Sequence, residues 1–158
     1  MASTRIDVLK MGLNDSRAHL EHIIEQVGDR WETQVYDHGA AWNVRQLLVH
    51  LGTSESGMFN TAKAISEGGN PIPEDFDLER FNLRSTEKKA DMTVAQARDV
   101  LTSTRADLMA WIGTLDSEKL ARQGRHATLA VYTVEQFLRI IAYHERSHAD
   151  DIARALNL

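Results

Sequence analysis

The sequence predicts an all-α protein folded as one four-helix bundle, and three observations carry that expectation. Four long runs place apolar residues at three- and four-residue steps, the period of a helix with one buried face. Three of those runs open on a shared start signal, a short polar residue followed three positions later by glutamine. The only prolines, Pro71 and Pro73, fall together in one connection, so nothing interrupts the helices elsewhere.

The first helix is expected from about Ile6 to about Arg30, on a stripe of Ile6, Leu9, Leu13, Leu20, Ile23, Ile24, Val27 and Trp31. The second is expected from about Val44 to Ser66, opened by Asn43 with Gln46 and ended by Gly68-Gly69. The third covers about Val94 to Gly113, opened by Thr93 with Gln96. The fourth covers about Val134 to Leu156, opened by Thr133 with Gln136. No segment alternates with period two for long enough to predict a strand. The apolar run 128–132 is short and leads into a helix.

Between the second and third helices lie about 24 residues, Gly69 to Met92, where 2–8 are usual for neighbours in a bundle. Phe76, Leu78, Phe81 and Leu83 give this stretch apolar groups to bury. It is expected to cross over the end of the bundle, with a short helix at Asp77–Arg84, and connections of this kind often wall a site.

A chain of 158 residues is read as one domain, 1–158, large enough to bury a self-sufficient core. The absence of cysteine excludes a disulfide scaffold, a cysteine-ligated zinc site and a cysteine nucleophile. Net charge is −5 and the basic residues are scattered, which argues against nucleic-acid binding. No signal-peptide apolar core opens the sequence and no run is long enough to span a bilayer. The expectation is a cytoplasmic protein with no membrane partner.

Of the seven histidines, His144 and His148 matter most. At about 100° per residue they stand about 40° apart, near the middle of the apolar face of the last helix. Two neighbouring imidazoles in a dry interior are costly unless hydrogen-bonded or ligated. A metal ion resolves that cost, and a His-x3-His pair on one helix has the reach for it; the alternative is two satisfied core histidines. His50 sits at the edge of the second helix's stripe beside Ser54, Gly57 and Thr61, small residues that leave room for a cavity or for close helix contact. Taken alone, His50 reads as structural. His19, His22, His38 and His126 are expected to be exposed, His126 with the option of facing a pocket rim.

Two short motifs are rejected. His144-Glu145-Arg146-Ser147-His148 matches the HExxH pattern of zinc proteases, but only ten residues follow it and the downstream third ligand has no place. Glu145 with His148 matches the Glu-x-x-His element of di-iron bundles. Those bundles need a second such element, and no other histidine has glutamate three positions earlier.

Trp42-Asn43-Val44-Arg45-Gln46-Leu47-Leu48-Val49-His50-Leu51, followed far downstream by His144-Glu145-Arg146-Ser147-His148, resembles the DinB-like (DinB/YfiT) superfamily. The likeness extends over the whole chain, including Asp77-Leu78-Glu79-Arg80-Phe81-Asn82. It implies an up-down-down-up bundle with three metal ligands, His50, His144 and His148, and zinc or nickel as the usual ion. It also implies a homodimer and a small-molecule substrate. Characterised relatives include transferases dependent on mycothiol, bacillithiol or glutathione, and a maleylpyruvate isomerase.

Three neutral imidazoles with an open fourth position make a catalytic rather than a closed metal site. Nitrogen and oxygen donors leave zinc, nickel and iron all open. A coordinated thiol would serve S-transfer and a coordinated water hydrolysis; an ion that only braces the bundle is the non-catalytic alternative. Glu145, about 50° from the apolar face centre, is read as an acceptor behind the ligands or a general base, against the alternative of a solvated glutamate. Asp151, two turns beyond His144 on a similar line, is a candidate to orient an imidazole; Arg45 and Arg146 are candidates to recognise a carboxylate on a thiol, though the sequence does not place them at the mouth.

Overall fold

A computed structural model describes residues 2–158. In chain order the elements are α1 (Ala2–Ile24), α2 (Val44–Ser66), α3 (Leu78–Lys88), α4 (Val94–Ile112), α5 (Ser117–Ala121), β1 (Gln123–Arg125), β2 (Val131–Thr133) and α6 (Val134–Leu156). The four long helices, α1, α2, α4 and α6, make the bundle. All three capping boxes form: Asn43, Thr93 and Thr133 each accept from the backbone N–H of the glutamine three residues on, and each glutamine side chain accepts from the cap N–H. Each box satisfies two donors that a helix start otherwise leaves bare. The predicted starts of α2, α4 and α6 are therefore met.

The core falls into two apolar clusters stacked along the bundle axis. One gathers Leu20, Ile23 and Ile24 from the end of α1, Val44 to Leu51 from the start of α2, Ala97 and Leu101 from the start of α4, and Ala149 to Leu156 from the end of α6. The other gathers the opposite ends: Ile6 to Leu13, Met58 to Ile65, Leu108 and Ile112, and Val134 to Ile141. Consequently α1 and α6 run one way, and α2 and α4 the other. The bundle is up-down-down-up. Around it α1 packs on α6, α6 on α2, and α2 on α4.

That topology corrects one expectation. The link from α2 to α4 does not cross over one end but returns along the length of the bundle, because α2 finishes at one end and α4 begins at the other. Its helix is also longer than expected, with Asp77 as the N-cap of Leu78–Lys88 rather than its first residue. None of its side chains is buried, and Phe81 and Leu83 stay 45% and 42% exposed.

Three further differences have physical causes. The first helix spans Ala2–Ile24 instead of ending near Arg30, since Gly28 adopts φ +63° and the chain turns. Val27 and Trp31 still pack on the core, so the apolar pattern outlasts the helix. A short helix, α5, and an antiparallel hairpin, β1–β2, lie where no regular element was expected; Gln123 pairs with Thr133 and Arg125 with Val131. Strands of three residues are too short for alternation to register. No helix among the described residues is long and apolar enough to cross a membrane.

The hairpin is anchored by Gly124, whose backbone lies against the buried Ile65 side chain of α2, so that an added Cβ would collide with it. Gly124→Ala should therefore destabilise the fold by about 1–3 kcal/mol in urea unfolding. Adding Ile65→Val should recover part of the loss. Equal stability of Gly124→Ala and the parent would show that the hairpin is not held by this contact.

Candidate metal centre

The apolar stripe of α6 turns His144 and His148 toward α2, and the stripe of α2 turns His50 toward α6. Nε2 of His144 lies 3.3 Å from Nε2 of His50 and 3.1 Å from Nε2 of His148. One ligand atom from each of the three lies within 4.8 Å of the others. An ion held tetrahedrally at the usual zinc–nitrogen length separates its donors by about 3.3–3.4 Å, so these spacings are those of a shared ligand set.

The hydrogen bonds agree. Tyr36 Oη gives its proton to Asp151 and lies 2.8 Å from Nδ1 of His148, so Nδ1–H of His148 donates to Tyr36. That leaves Nε2 of His148 with a lone pair aimed at the other rings. One Nε2–H can serve only one neighbouring ring well, whereas a cation between the three meets all their lone pairs at once. Trp42 stacks on His50 at 4.0 Å and fixes its ring, while the indole N–H donates to Thr86 of α3 at 2.8 Å. Burial drives the His50 imidazole down to about 2, with His144 and His148 adding repulsion. Burial also leads the fall of His144 to about 3 and His148 to about 4. All three rings are neutral at physiological pH, the form that coordinates a metal.

The rings open on a cavity of about 470 Å³ between α2, α3, α6 and the hairpin tip. Ser54, Gly57 and Thr61 line it, and beyond Gly57 there is open space, so the small residues of α2 make room for a cavity rather than for helix contact. Phe76, Leu78 and Phe81 face this cavity instead of the core. A second, more open cleft of about 580 Å³ is lined by Tyr36, His38, Gly39 and Glu79. The two meet at Trp42, Leu78, Asn82 and His148.

The remaining predicted residues distribute unevenly. Glu145 is neither solvated nor in the cavity: it is 3% exposed and accepts from Ser16 at 2.8 Å, Arg17 at 3.0 Å and Arg105 at 3.2 Å. Its carboxylate is committed to that network, which removes the general-base assignment. Asp151 does orient an imidazole, but through Tyr36, because its own oxygen is 4.0 Å from His148. Arg45 is held by Glu32 and by the carbonyls of Ala90 and Met92; neither it nor the exposed Arg146 lines the cavity. His22 and His38 are exposed as expected, whereas His19 is half-buried and bonded to Asp150 at 2.7 Å. His126 is buried at 8% exposure and lines the cavity wall, correcting its reading as exposed.

Tyr36 is the residue that sequence reasoning missed. It lies in the irregular 25–43 segment, which folds back so that the N–H groups of Val35 and Tyr36 both reach the Trp42 carbonyl. No periodicity marks such a position.

The family model of the DinB superfamily matches residues 12–152. The chain belongs to that superfamily. Among solved structures, this DinB-superfamily bundle is similar to YfiT from Bacillus subtilis, described as a probable metal-dependent hydrolase with an unusual four-helix bundle topology. The TM-score is 0.78 at 22% identity, covering 96% of this chain and 86% of that one. It is also similar to a mycothiol-dependent maleylpyruvate isomerase, with TM-score 0.73 at 12% identity, covering 96% of this chain and 60% of that enzyme. This chain thus spans three fifths of the isomerase. At these identities the likeness speaks for the fold. No curated protein sequence matches.

Two predictions follow from this geometry. Tyr36→Phe removes the acceptor that fixes the His148 tautomer and should weaken zinc binding about 10–100-fold by titration against a chelator; unchanged affinity would dissociate Tyr36 from the site. In metal-free protein the three histidine pKa values lie below the ordinary 6.5. The unfolded chain therefore binds more protons than the fold from pH 6.5 downward, and stability present above 6.5 is lost progressively as pH falls through about 4 toward about 2. Urea midpoints should fall over that window. In His144→Ala the fall should be shallower, and an identical slope would refute the assignment.

Proposed function

We propose that the protein is a metal-dependent transferase that joins a low-molecular-weight thiol to an apolar electrophile. The observation that carries this reading is the meeting of two cavities at His148, one of the three clustered histidines. The inner one is walled by Met58, Phe76, Phe81, Phe137 and Ile140. The outer one has a polar rim of Tyr36, His38 and Glu79. One chamber suits an apolar molecule and the other a polar cosubstrate, with the reacting atoms brought together where the chambers join.

His50, His144 and His148 would hold the ion, zinc or nickel foremost, with iron also compatible with these donors. When bound, the ion supplies Lewis acidity that lowers the pKa of a coordinated thiol toward neutrality. The chain's own residues position and exclude. Trp42 locks His50 from one side, and the relay from His148 through Tyr36 to Asp151 keeps Nε2 available. No carboxylate lines the inner cavity, which suits a nucleophile whose proton is made labile by coordination. In the net reaction the sulfur forms a bond to carbon; the thiol proton goes to the leaving group, or to the electrophile's double bond where nothing leaves.

A metal-dependent hydrolase is the second reading, favoured by the structural likeness to YfiT. A purely bracing ion fits less well, since a brace needs no cavity against its ligands. A homodimer acting on small molecules is the wider setting that the family resemblance carries; the scattered basic charge and the lack of a bilayer-spanning run support placing it in the cytoplasm without nucleic acid or membrane.

Purified protein should hold about one divalent ion per chain, and His148→Ala should reduce that content to background by mass spectrometry of the metal. Zinc- or nickel-loaded protein should then consume bacillithiol, mycothiol or glutathione with 1-chloro-2,4-dinitrobenzene, and His148→Ala should not. Silence with every thiol, together with metal-dependent cleavage of a p-nitrophenyl ester, would replace the transferase by the hydrolase.

A further inference from the structure

His126 stands apart from the three clustered rings yet shares their cavity, and nothing above uses it. The backbone N–H of Thr128 lies 3.1 Å from its Nδ1, and the Thr128 hydroxyl lies 2.9 Å from the same atom. A backbone amide can only donate, so Nδ1 carries the lone pair and the ring's single proton is on Nε2. Nε2 is shielded from solvent and finds no partner in the protein; it is the only buried side-chain nitrogen or oxygen in that state among the described residues. An unmet donor of this kind is a standing cost that folded proteins rarely keep without a use.

Its surroundings say what would meet it. Tyr132 and Phe137 flank the ring at 5.7 and 5.3 Å, and the cavity it helps to wall has mostly apolar and aromatic neighbours. No lysine or arginine is among the lining residues, so away from an ion on the three clustered histidines nothing there compensates an anionic ligand group. Burial alone holds the ring below the ordinary histidine range, and it is a neutral donor rather than a cation. A neutral donor in an apolar wall pairs best with an uncharged acceptor oxygen. The hairpin tip that carries it bends at Leu129, whose φ of +74° is unfavourable for a side chain of that size. Nε2 itself is shielded here, so presenting its N–H at the cavity face requires a small movement of this tip.

We propose that His126 is a specificity-determining binding residue, its Nε2–H donating to a carbonyl-type oxygen on an uncharged, largely apolar substrate in the inner cavity. This names the substrate class for the transferase reading and rests on it for the chemistry, but binding is testable without turnover.

Benzophenone and 1,1-diphenylethylene, which differ in C=O against C=CH2, make a matched pair of probes. Their affinities for the full chain, zinc-loaded and metal-free, would be measured by calorimetry. The expected result is about a tenfold preference for the ketone in both metal states. That preference should be lost in His126→Phe and largely kept in His126→Gln, which retains a donor. Long-range ¹H–¹⁵N spectra should show His126 as the Nε2–H tautomer, with that nitrogen shifting on addition of benzophenone. A preference seen only with zinc, a preference surviving His126→Phe, no binding of either probe, or an Nδ1–H tautomer would each overturn the proposal. Loss of thiol turnover with the ketone preference intact would sink the transferase reading and leave His126 standing.

Discussion

A layer of four charges in the middle of the bundle sets the alignment on which the site depends. Arg17 of α1, Glu55 of α2, Arg105 of α4 and Glu145 of α6 meet there, with Glu55 and Glu145 only 3% exposed and Arg105 7%. Arg105 bonds both glutamates and the Leu13 carbonyl at 2.6 Å; Arg17 bonds both glutamates and the Leu101 carbonyl at 3.0 Å. Charge balances within the layer, one residue coming from each long helix. It lies between the two apolar clusters.

Such a layer contributes little net stability compared with well-packed apolar residues, but leaving one buried charge without its partner costs about 3–5 kcal/mol. Apolar contacts tolerate a helix sliding by a turn; four paired charges do not. Glu145 immediately follows His144, and Glu55 lies five residues beyond His50 on α2. The pairing that aligns the carboxylates therefore also sets the relative height of the imidazoles. This accounts for what Glu145 does in the fold: it holds the helices in register while its neighbour faces the cavity.

Much of this was legible in the sequence. Helix starts at Val44, Val94 and Val134 were readable because each capping box is a local structure, complete within four residues. The convergence of His144 and His148 followed from helical geometry alone, whereas His50 needed the family likeness. The ion layer was also legible in principle. Arg17 stands between Leu13 and Leu20, Glu55 between Leu51 and Met58, and Arg105 between Leu101 and Leu108, each four residues after one apolar residue and three before the next. Those are core positions, and charges of both signs there call for one another. Tyr36, His126 and the hairpin were not legible, since long-range contacts place them and no local pattern does.

The topology explains why the cavity has a wall where it does. Neighbouring helices α2 and α4 run the same way, so the chain leaving Ser66 must return about 34 Å before Val94 can begin, at about 1.5 Å per residue over the 23 residues of α2. An antiparallel pair would need only a few linking residues and would leave the histidine face of α2 bare. Here the return path lies against α2, where α3 is tied by Thr86 to the Trp42 indole and by Lys89 to Thr53 at 2.7 Å. Since no side chain of α3 is buried, packing alone does not fix it; its anchors are the groups that border the site. The parallel pairing thus produces a covered histidine cluster with two ways in, and the same residue, Trp42, both braces His50 and holds the cover in place.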